Sequence, residues 1–327
     1  MPETSGFIRK KCIISGRLDG KLAVVTGANS GIGAMTCGEL ARRGAKVIMA
    51  CRNLDKGQSA KEELLKLYSK SNPKCLEINV GAPSVTTSLK AIEPEQLQIE
   101  ELDLASLQSI RNFAERIKES NEKLDFLVNN AGVTVQNYQT TVDGFELQIG
   151  VNHLGHFLLT MLLLPLLKKA APSRITILSS VAHYWGTLYK PDLQIPKSEY
   201  AMMSAYYQSK LAVTMFAYEL NKRLEGSGVT AVSVHPGLVK TELFRDVSKL
   251  RERIMAAILR ILDITPWLGA QTTMYALLTK NLVPGAYYSN CSVKRPNPLV
   301  LNAEEREWLW KKSCELLGLP ESGESDK

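Results

Sequence analysis

The sequence has little of what marks several common protein classes. Its 327 residues include only four histidines and six cysteines, and no C-x-x-C pair or zinc-type spacing joins them, so neither a zinc module nor another metal site is expected. Cys12, Cys37, Cys51, Cys75, Cys291 and Cys314 read instead as free thiols and small apolar fillers. The net charge is +7, but the cations are not blocked into a stripe, which argues against nucleic acid as a partner and for a phosphate-bearing small molecule. Met1–Gly20 carries Arg9, Lys10, Lys11 and Arg17 without the apolar core of a signal peptide. No continuous run reaches the roughly 18 apolar residues of a spanning helix. The longest, F-L-L-T-M-L-L-L-P-L-L at 157–167, contains Pro165 and reads as a buried helix with a second use against a partner subunit. A cytoplasmic or peripherally membrane-associated protein follows as the expectation. There is no internal repeat.

What is present is alternation. Strand-like runs fall at Leu22–Thr26, Lys46–Cys51, Gln98–Leu102, Leu124–Asn129, Arg174–Ser179, Thr230–His235 and Ala286–Tyr288. Helical patterns fall near 31–43, 55–69, 106–120, 145–169, 204–225, 267–280 and 303–316. This order predicts an α/β fold, a doubly wound (Rossmann) parallel sheet of about seven strands in a single domain. The domain is placed at 20–318, after an N-terminal extension (1–19) and before a polar, disordered tail (319–327). Residues 71–97, with Pro73, Gly81, Pro83 and Pro94, read as a disordered insertion before the third strand.

The first strand runs directly into G-A-N-S-G-I-G and then a helix. A strand, a glycine-rich turn and a helix N-terminus let backbone approach a pyrophosphate while the helix dipole favours its charge, so Gly27, Asn29, Ser30, Gly31, Ile32 and Gly33 are assigned to a dinucleotide. An acidic residue ending the second strand would suit NAD, whereas here stand Cys51 and Arg52, and an arginine can pair with a 2′-phosphate. NADP(H) is therefore the expected cofactor. Asp55, the alternative acid, sits in an N-cap setting. Asp103 and Leu104 end the third strand, with the Asp103 carboxylate suited to an adenine amino group, and Asn130, Ala131 and Gly132 follow the fourth where the ribose should pass.

Residues 204–213 read S-A-Y-Y-Q-S-K-L-A-V. Tyr206 and Lys210, four apart, share a helix face, while Tyr207 is turned away by roughly a hundred degrees. An ammonium beside a phenol lowers its pKa towards the range of a useful acid/base. Ser179 and Ser180 end the fifth strand, at the sheet edge where such folds bind ligands, and a serine there can hold a substrate carbonyl. His153, His156, His183 and His235 read as satisfied structural histidines. Tyr184 and Trp185 are open between the substrate cleft and packing.

In T-G-A-N-S-G-I-G, N-N-A-G, S-S with Y-x-x-x-K, and H-P-G-L-V-K-T, the chain resembles the short-chain dehydrogenase/reductase family over about 20–318. In R-I-T-I-L-S-S-V-A-H, V-N-H-L-G-H-F-L-L-T and G-A-Q-T-T-M-Y it looks like that family's retinol dehydrogenase-like branch. The resemblance implies Tyr206 as acid/base, Lys210 tuning it and binding the nicotinamide ribose, and Ser180, the second of the pair, holding the carbonyl. It further implies Asn152 as the anchor of a proton-relay water, and Pro236, Gly237 and Thr241 beside the cofactor, with Thr241 at the carboxamide. Branch members often carry an N-terminal membrane anchor, which Met1–Gly20 does not show. The implied activity is interconversion of a lipophilic alcohol and its aldehyde or ketone, retinoid-like, long-chain or steroid-like, with Ser180 and Tyr206 contacting the substrate. The alternative is a non-catalytic NADP(H)-binding regulatory protein, for which the Ser180, Tyr206 and Lys210 set has no chemical need. K-L-R-E-R-I-M-A-A-I-L-R-I-L at 249–262 suits either a substrate lid (242–265) or a membrane-surface helix. A homodimer and peripheral membrane contact complete the expected partners.

Overall fold

A computed structural model describes residues 10–72, 88–237 and 265–323. Its first strand, β1 (Leu22–Thr26), is buried at every position, as a strand covered on both faces must be. Alternation along it feeds two cores. Leu22 and Val24 join Ile110, Phe113 and Phe157 on one face, and Ala23 and Val25 join Cys37, Leu40 and Met274 on the other.

The chain continues through α1 (Gly31–Arg42), β2 (Lys46–Cys51), α2 (Leu54–Leu67), β3 (Leu97–Glu101), α3 (Leu107–Ser120), β4 (Phe126–Asn129), α4 (His156–Lys169) and β5 (Ser173–Leu178). It ends with α5 (Met202–Arg223), β6 (Val229–His235), α6 (Pro266–Leu278), β7 (Tyr287–Ser289), β8 (Ser292–Lys294) and α7 (Ala303–Leu317). The sheet order is β3-β2-β1-β4-β5-β6-β7-β8, parallel from β1 to β7 with β8 antiparallel to β7. The expected doubly wound α/β domain is thus observed, with an eighth strand added.

That strand is only three residues long and is reached by a two-residue turn, Asn290 and Cys291, with φ of 52° and 55°. Such a turn is usually announced by Asn-Gly, and the cysteine removes that signal. Of the stretch read as an insertion, 73–87 lie outside the described residues, whereas Leu89 and Ile92 are buried and Leu97 already belongs to β3. The segments 249–262 and 242–264 also lie outside them.

Residues Leu147–Lys169 are long and apolar enough to cross a membrane by composition, longer than the run recognised in the sequence, yet 89% of that window is buried in the protein. Most of the cover comes from α3, β4 and β5, and α7 adds one large side chain to it. Trp310, 2% exposed, meets Phe157 edge to face at 4.9 Å between ring centres and lies 4.3 Å beneath the Arg223 guanidinium. The second use of the 157–167 run, against a partner subunit, is therefore corrected: its large side chains are already covered within this chain. Arg306 on α7 adds a buried ion pair to Glu219 on α5 at 3.0 Å.

On the other face, Glu39 fixes α1. Its carboxylate accepts from Arg42 and Arg43 at 2.7 Å each and from Trp267 Nε1 of α6 at 3.0 Å. Burial opposes its ionisation, but the two guanidiniums outweigh that cost and hold it below the usual carboxylate range.

Replacing Trp310 by Ala should destabilise the protein by about 3–5 kcal/mol, as for other large-to-small aromatic changes in cores, measured by denaturant unfolding. A loss under about 1 kcal/mol would show that α7 does not cap this core.

Candidate active site

The sheet order reverses between β1 and β4, and there the carboxyl ends of two neighbouring strands leave a crevice. Gly27 leaves β1 with φ of +64°, a conformation open to glycine at little cost. A Cβ on Gly33 would fall well inside contact distance of the Gly27 carbonyl oxygen and the Asn130 side chain, so the turn closes onto the start of α1 only with glycine there. Ser30 is the N-cap of α1, yet its side chain makes no capping hydrogen bond, so the first-turn N–H groups are not satisfied by that hydroxyl. Asn29, Gly31 and Ile32 complete this exposed-to-half-buried turn. These features fit the cradle that a dinucleotide pyrophosphate requires.

The opposite wall is the loop after β4. Asn130 and Ala131 both donate backbone N–H bonds to Thr26 Oγ1 at 2.9 Å, and Asn130 Nδ2 donates to the Thr26 carbonyl at 2.7 Å. Gly132 follows, and a Cβ built on it would sit 3.4 Å from Asn152 Oδ1 and 3.5 Å from Lys210 Nζ. The cofactor-side loop and the candidate reaction centre therefore meet at this glycine.

Helix α5 brings in Tyr206 and Lys210, both buried, with Lys210 Nζ 5.7 Å from the Tyr206 ring centre. Lys210 Nζ donates to the Leu178 carbonyl at 3.0 Å. Ser180, which lies close enough to the Tyr206 phenol to lower its pKa, accepts from Ala182 N at 3.2 Å through its Oγ. Ser179 points elsewhere, held at 2.6 Å from Thr214 Oγ1 and fully buried between β5 and α5. Tyr207 leaves the site and packs on Trp185 at 5.8 Å. Asn152 lies in a π-helical turn, Gly150–Gly155, with its side chain on Val133 N at 2.8 Å, Val133 O at 3.0 Å and Ser209 Oγ at 3.0 Å.

The electrostatics correct one expectation. Burial pushes Tyr206 up to about 12, only partly offset by Ser180, rather than down under the influence of the lysine. Burial likewise brings Lys210 down to about 8. The reason is that both groups are stripped of water, while the ammonium faces the Leu178 carbonyl instead of the phenol oxygen.

The remaining candidates are scattered. Arg52 is exposed one residue past β2. The N-cap of α2 is Asn53, which accepts from Lys56 N at 2.8 Å, so Asp55 is a first-turn residue and not the cap. Asp103 Oδ1 accepts from Ala105 N at 2.9 Å, beside buried Leu104. Pro236 and Gly237 follow β6, and Thr241 lies outside the described residues. His153 bonds Ser313 at 2.8 Å, and His183 bonds the Ser180 carbonyl at 2.7 Å. Tyr184 donates to Arg295 O at 2.5 Å and stacks on His183, so it packs, whereas Trp185 is 59% exposed. Among the described residues no His, Cys, Asp or Glu group could hold a metal. A surface groove of about 720 Å³, lined by Arg17, Gly44, Lys90 and Gln96, lies at the amino ends of the strands and shares no residue with this set. Thr26 opens the T-G-A-N-S-G-I-G string, but its role in tying β1 to the loop after β4 is not readable from it, and Ser209 is marked by no motif because a helical Ser has no spacing to betray it.

Fold and site together define an oxidoreductase of the nicotinamide-dependent α/β type. The short chain dehydrogenase profile matches residues 21–85 and 74–252. Retinol dehydrogenase 11 of Mus musculus is 43% identical, with 94% of this chain and 90% of that protein covered. Retinol dehydrogenase 13 of Homo sapiens is 42% identical, covering 94% and 88%. Among solved structures, an uncharacterized protein from Mycobacterium Paratuberculosis superposes with a TM-score of 0.71 at 32% identity, covering 98% of this chain and 100% of that one. An RhlG/NADP active-site complex of Pseudomonas aeruginosa shares the fold, with a TM-score of 0.61 at 22% identity and 86% and 97% coverage. The chain belongs to the short-chain dehydrogenase family and is retinol dehydrogenase-like.

Gly33→Ala should weaken binding of the reduced nicotinamide dinucleotide at least about tenfold, since the Cβ must displace backbone rather than a flexible side chain, and titration by nicotinamide fluorescence checks this. An acid effect follows from the histidines. Burial holds His153 at about 3 and His156 and His183 at about 4, against an ordinary 6.5. Between about 4 and 6.5 the unfolded chain binds more protons than the folded one, so the contribution is complete above 6.5 and lost as pH falls. Tm should drop across that window, with imidazole NMR resonances that do not titrate above it; resonances titrating near 6.5 would contradict the buried neutral state.

Proposed function

We propose that the protein is an NADP(H)-dependent oxidoreductase that interconverts a lipophilic alcohol and its aldehyde or ketone. The observation that carries this reading is the convergence of Ser180, Tyr206 and Lys210 at the carboxyl edge of the sheet, beside the glycine turn. The retinol dehydrogenases at 42–43% identity support a retinoid-like or other long-chain substrate. NADP rather than NAD is supported by Arg52 at the end of β2, where the neighbouring acid, Asp55, belongs to the first turn of a helix.

When bound, the nicotinamide supplies or accepts the hydride. Gly27–Gly33 and the α1 N-terminus would hold the pyrophosphate, Arg52 the 2′-phosphate, Asp103 the adenine, and Asn130–Gly132, Pro236, Gly237 and Thr241 the nicotinamide half. Ser180 orients the substrate carbonyl by a hydrogen bond, and Tyr206 delivers a proton to the same oxygen as it becomes an alkoxide. With its pKa pushed up to about 12, Tyr206 is protonated at neutral pH and suited to donating in the reductive direction. Lys210 Nζ lies 5.7 Å from the Tyr206 ring centre, and release of its bond to the Leu178 carbonyl would let the ammonium stabilise the phenolate left behind. Lys210 would also bind the nicotinamide ribose, and Asn152 would anchor the water that returns the proton.

Tyr206→Phe should lose about a hundredfold or more in kcat while NADPH affinity stays near normal, and Tyr207→Phe should behave like the unmodified chain. Activity would be followed as loss of nicotinamide absorbance with retinal, decanal and a steroid ketone. Full turnover by Tyr206→Phe overturns the assignment, and tight NADPH binding without any turnover would favour the non-catalytic binder. Arg52→Ala should weaken NADPH by about tenfold with little change for NADH, the expected loss of one charge-assisted contact; tighter binding of NADH than NADPH by the unmodified chain would refute the cofactor assignment.

A further inference from the structure

His156 stands first in α4, four residues after Asn152, and both of its ring nitrogens are engaged deep in the protein. Thr26 Oγ1 accepts from Asn130 N and Ala131 N at 2.9 Å each, which leaves the hydroxyl proton to be donated to His156 Nε2 at 2.9 Å. The other nitrogen, Nδ1, lies 3.0 Å from the Asn152 carbonyl, which can only accept. Both neighbours therefore assign the same neutral tautomer, with the proton on Nδ1. At the end of the π-helical turn the backbone N–H of His156 goes to the His153 carbonyl, and the imidazole Nδ1 reaches the Asn152 carbonyl.

From Asn152 the path continues in two directions. Its side chain pairs with both backbone groups of Val133 at 2.8 and 3.0 Å, and Val133 belongs to the same loop as Asn130 and Ala131. The path thereby closes into a ring: Thr26, His156, Asn152 and the 130–133 loop. Asn152 Nδ2 also donates to Ser209 Oγ at 3.0 Å, and Ser209 donates to the Tyr206 carbonyl at 2.8 Å. Thr26, Asn152, His156 and Ser209 are each at most 1% exposed, so water cannot substitute for a lost member without entering the core.

We propose that His156 is a positioning residue which, through its two ring nitrogens, couples the cofactor-side loop at Asn130–Ala131 to the Asn152 carbonyl and the Tyr206 segment of α5. This rests on the reductase reading of Tyr206 and Asn152. The acceptor at Nε2 fixes Thr26 and hence the loop; the donor at Nδ1 fixes the Asn152 carbonyl and hence the proton-transfer side. A histidine that only filled the core would have no reason to separate the two effects.

Two substitutions each keep one arm. His156→Asn retains a donor at the Nδ1 position, and His156→Gln places an acceptor at the Nε2 position. His156→Asn should hold kcat within about threefold and weaken NADPH about tenfold, the scale of one buried hydrogen bond, whereas His156→Gln should do the reverse. NADPH dissociation constants come from nicotinamide fluorescence and kcat from reduction of retinal or decanal, with Tm recorded for each variant. Parallel loss of both parameters in both variants, including loss by failure to fold, overturns the coupling, as does normal behaviour of both. If Tyr206→Phe turns over normally the reductase reading fails by itself; if the unmodified chain turns over no carbonyl, the coupling is read from NADPH affinity alone, where equal weakening by Asn and Gln defeats it.

Discussion

The hydroxyl of Thr26 is the contact on which the rest of this molecule turns. It closes β1 against β4 where the strand order reverses, and the crevice exists because those two strand ends are held at hydrogen-bonding distance. The glycines of the first turn follow from that closeness, since Gly33 packs directly on the Gly27 carbonyl and the Asn130 side chain. So does the placement of Asn152 and Lys210 around Gly132. A hydroxyl buried with three partners is satisfied in full, which suits a position that tolerates no water.

Around this point the protein arranges polar groups that are costly to bury and gives each a partner. Lys210 is spent on the Leu178 carbonyl, and Glu39 is neutralised by two arginines. The desolvated tyrosine and lysine show that burial, more than mutual attraction, sets their resting protonation. Helix α7 contributes from the far side. It packs Trp310 against Phe157 and Phe216 and pairs Arg306 with Glu219 at the back of α4 and α5.

Much of this was legible beforehand for physical reasons. Strands buried on both faces are continuous apolar runs, so β1 and β2 were bounded to the residue, while β8 was too short and its Asn290-Cys291 turn too unusual to register. Helical spacing by itself separated Tyr206 from Tyr207. It could not show that Asn53 rather than Asp55 caps α2, because two polar residues two apart are equal candidates until backbone geometry chooses. Nor could it show that α3, β4 and β5, with Trp310 of α7, cover the long apolar helix, since hydrophobicity states that a face must be buried and not by what.

The sequence by itself determined the alternation of elements, the glycine turn and the helix face shared by Tyr206 and Lys210, because each depends on neighbours a few residues apart. Only the tertiary structure decided that Thr26, His156, Asn152 and Val133 form one ring, and that Thr214 on α5 holds the Ser179 hydroxyl. Those contacts join residues from different strands and helices, and no local periodicity carries information about which distant partner a hydroxyl or imidazole will find.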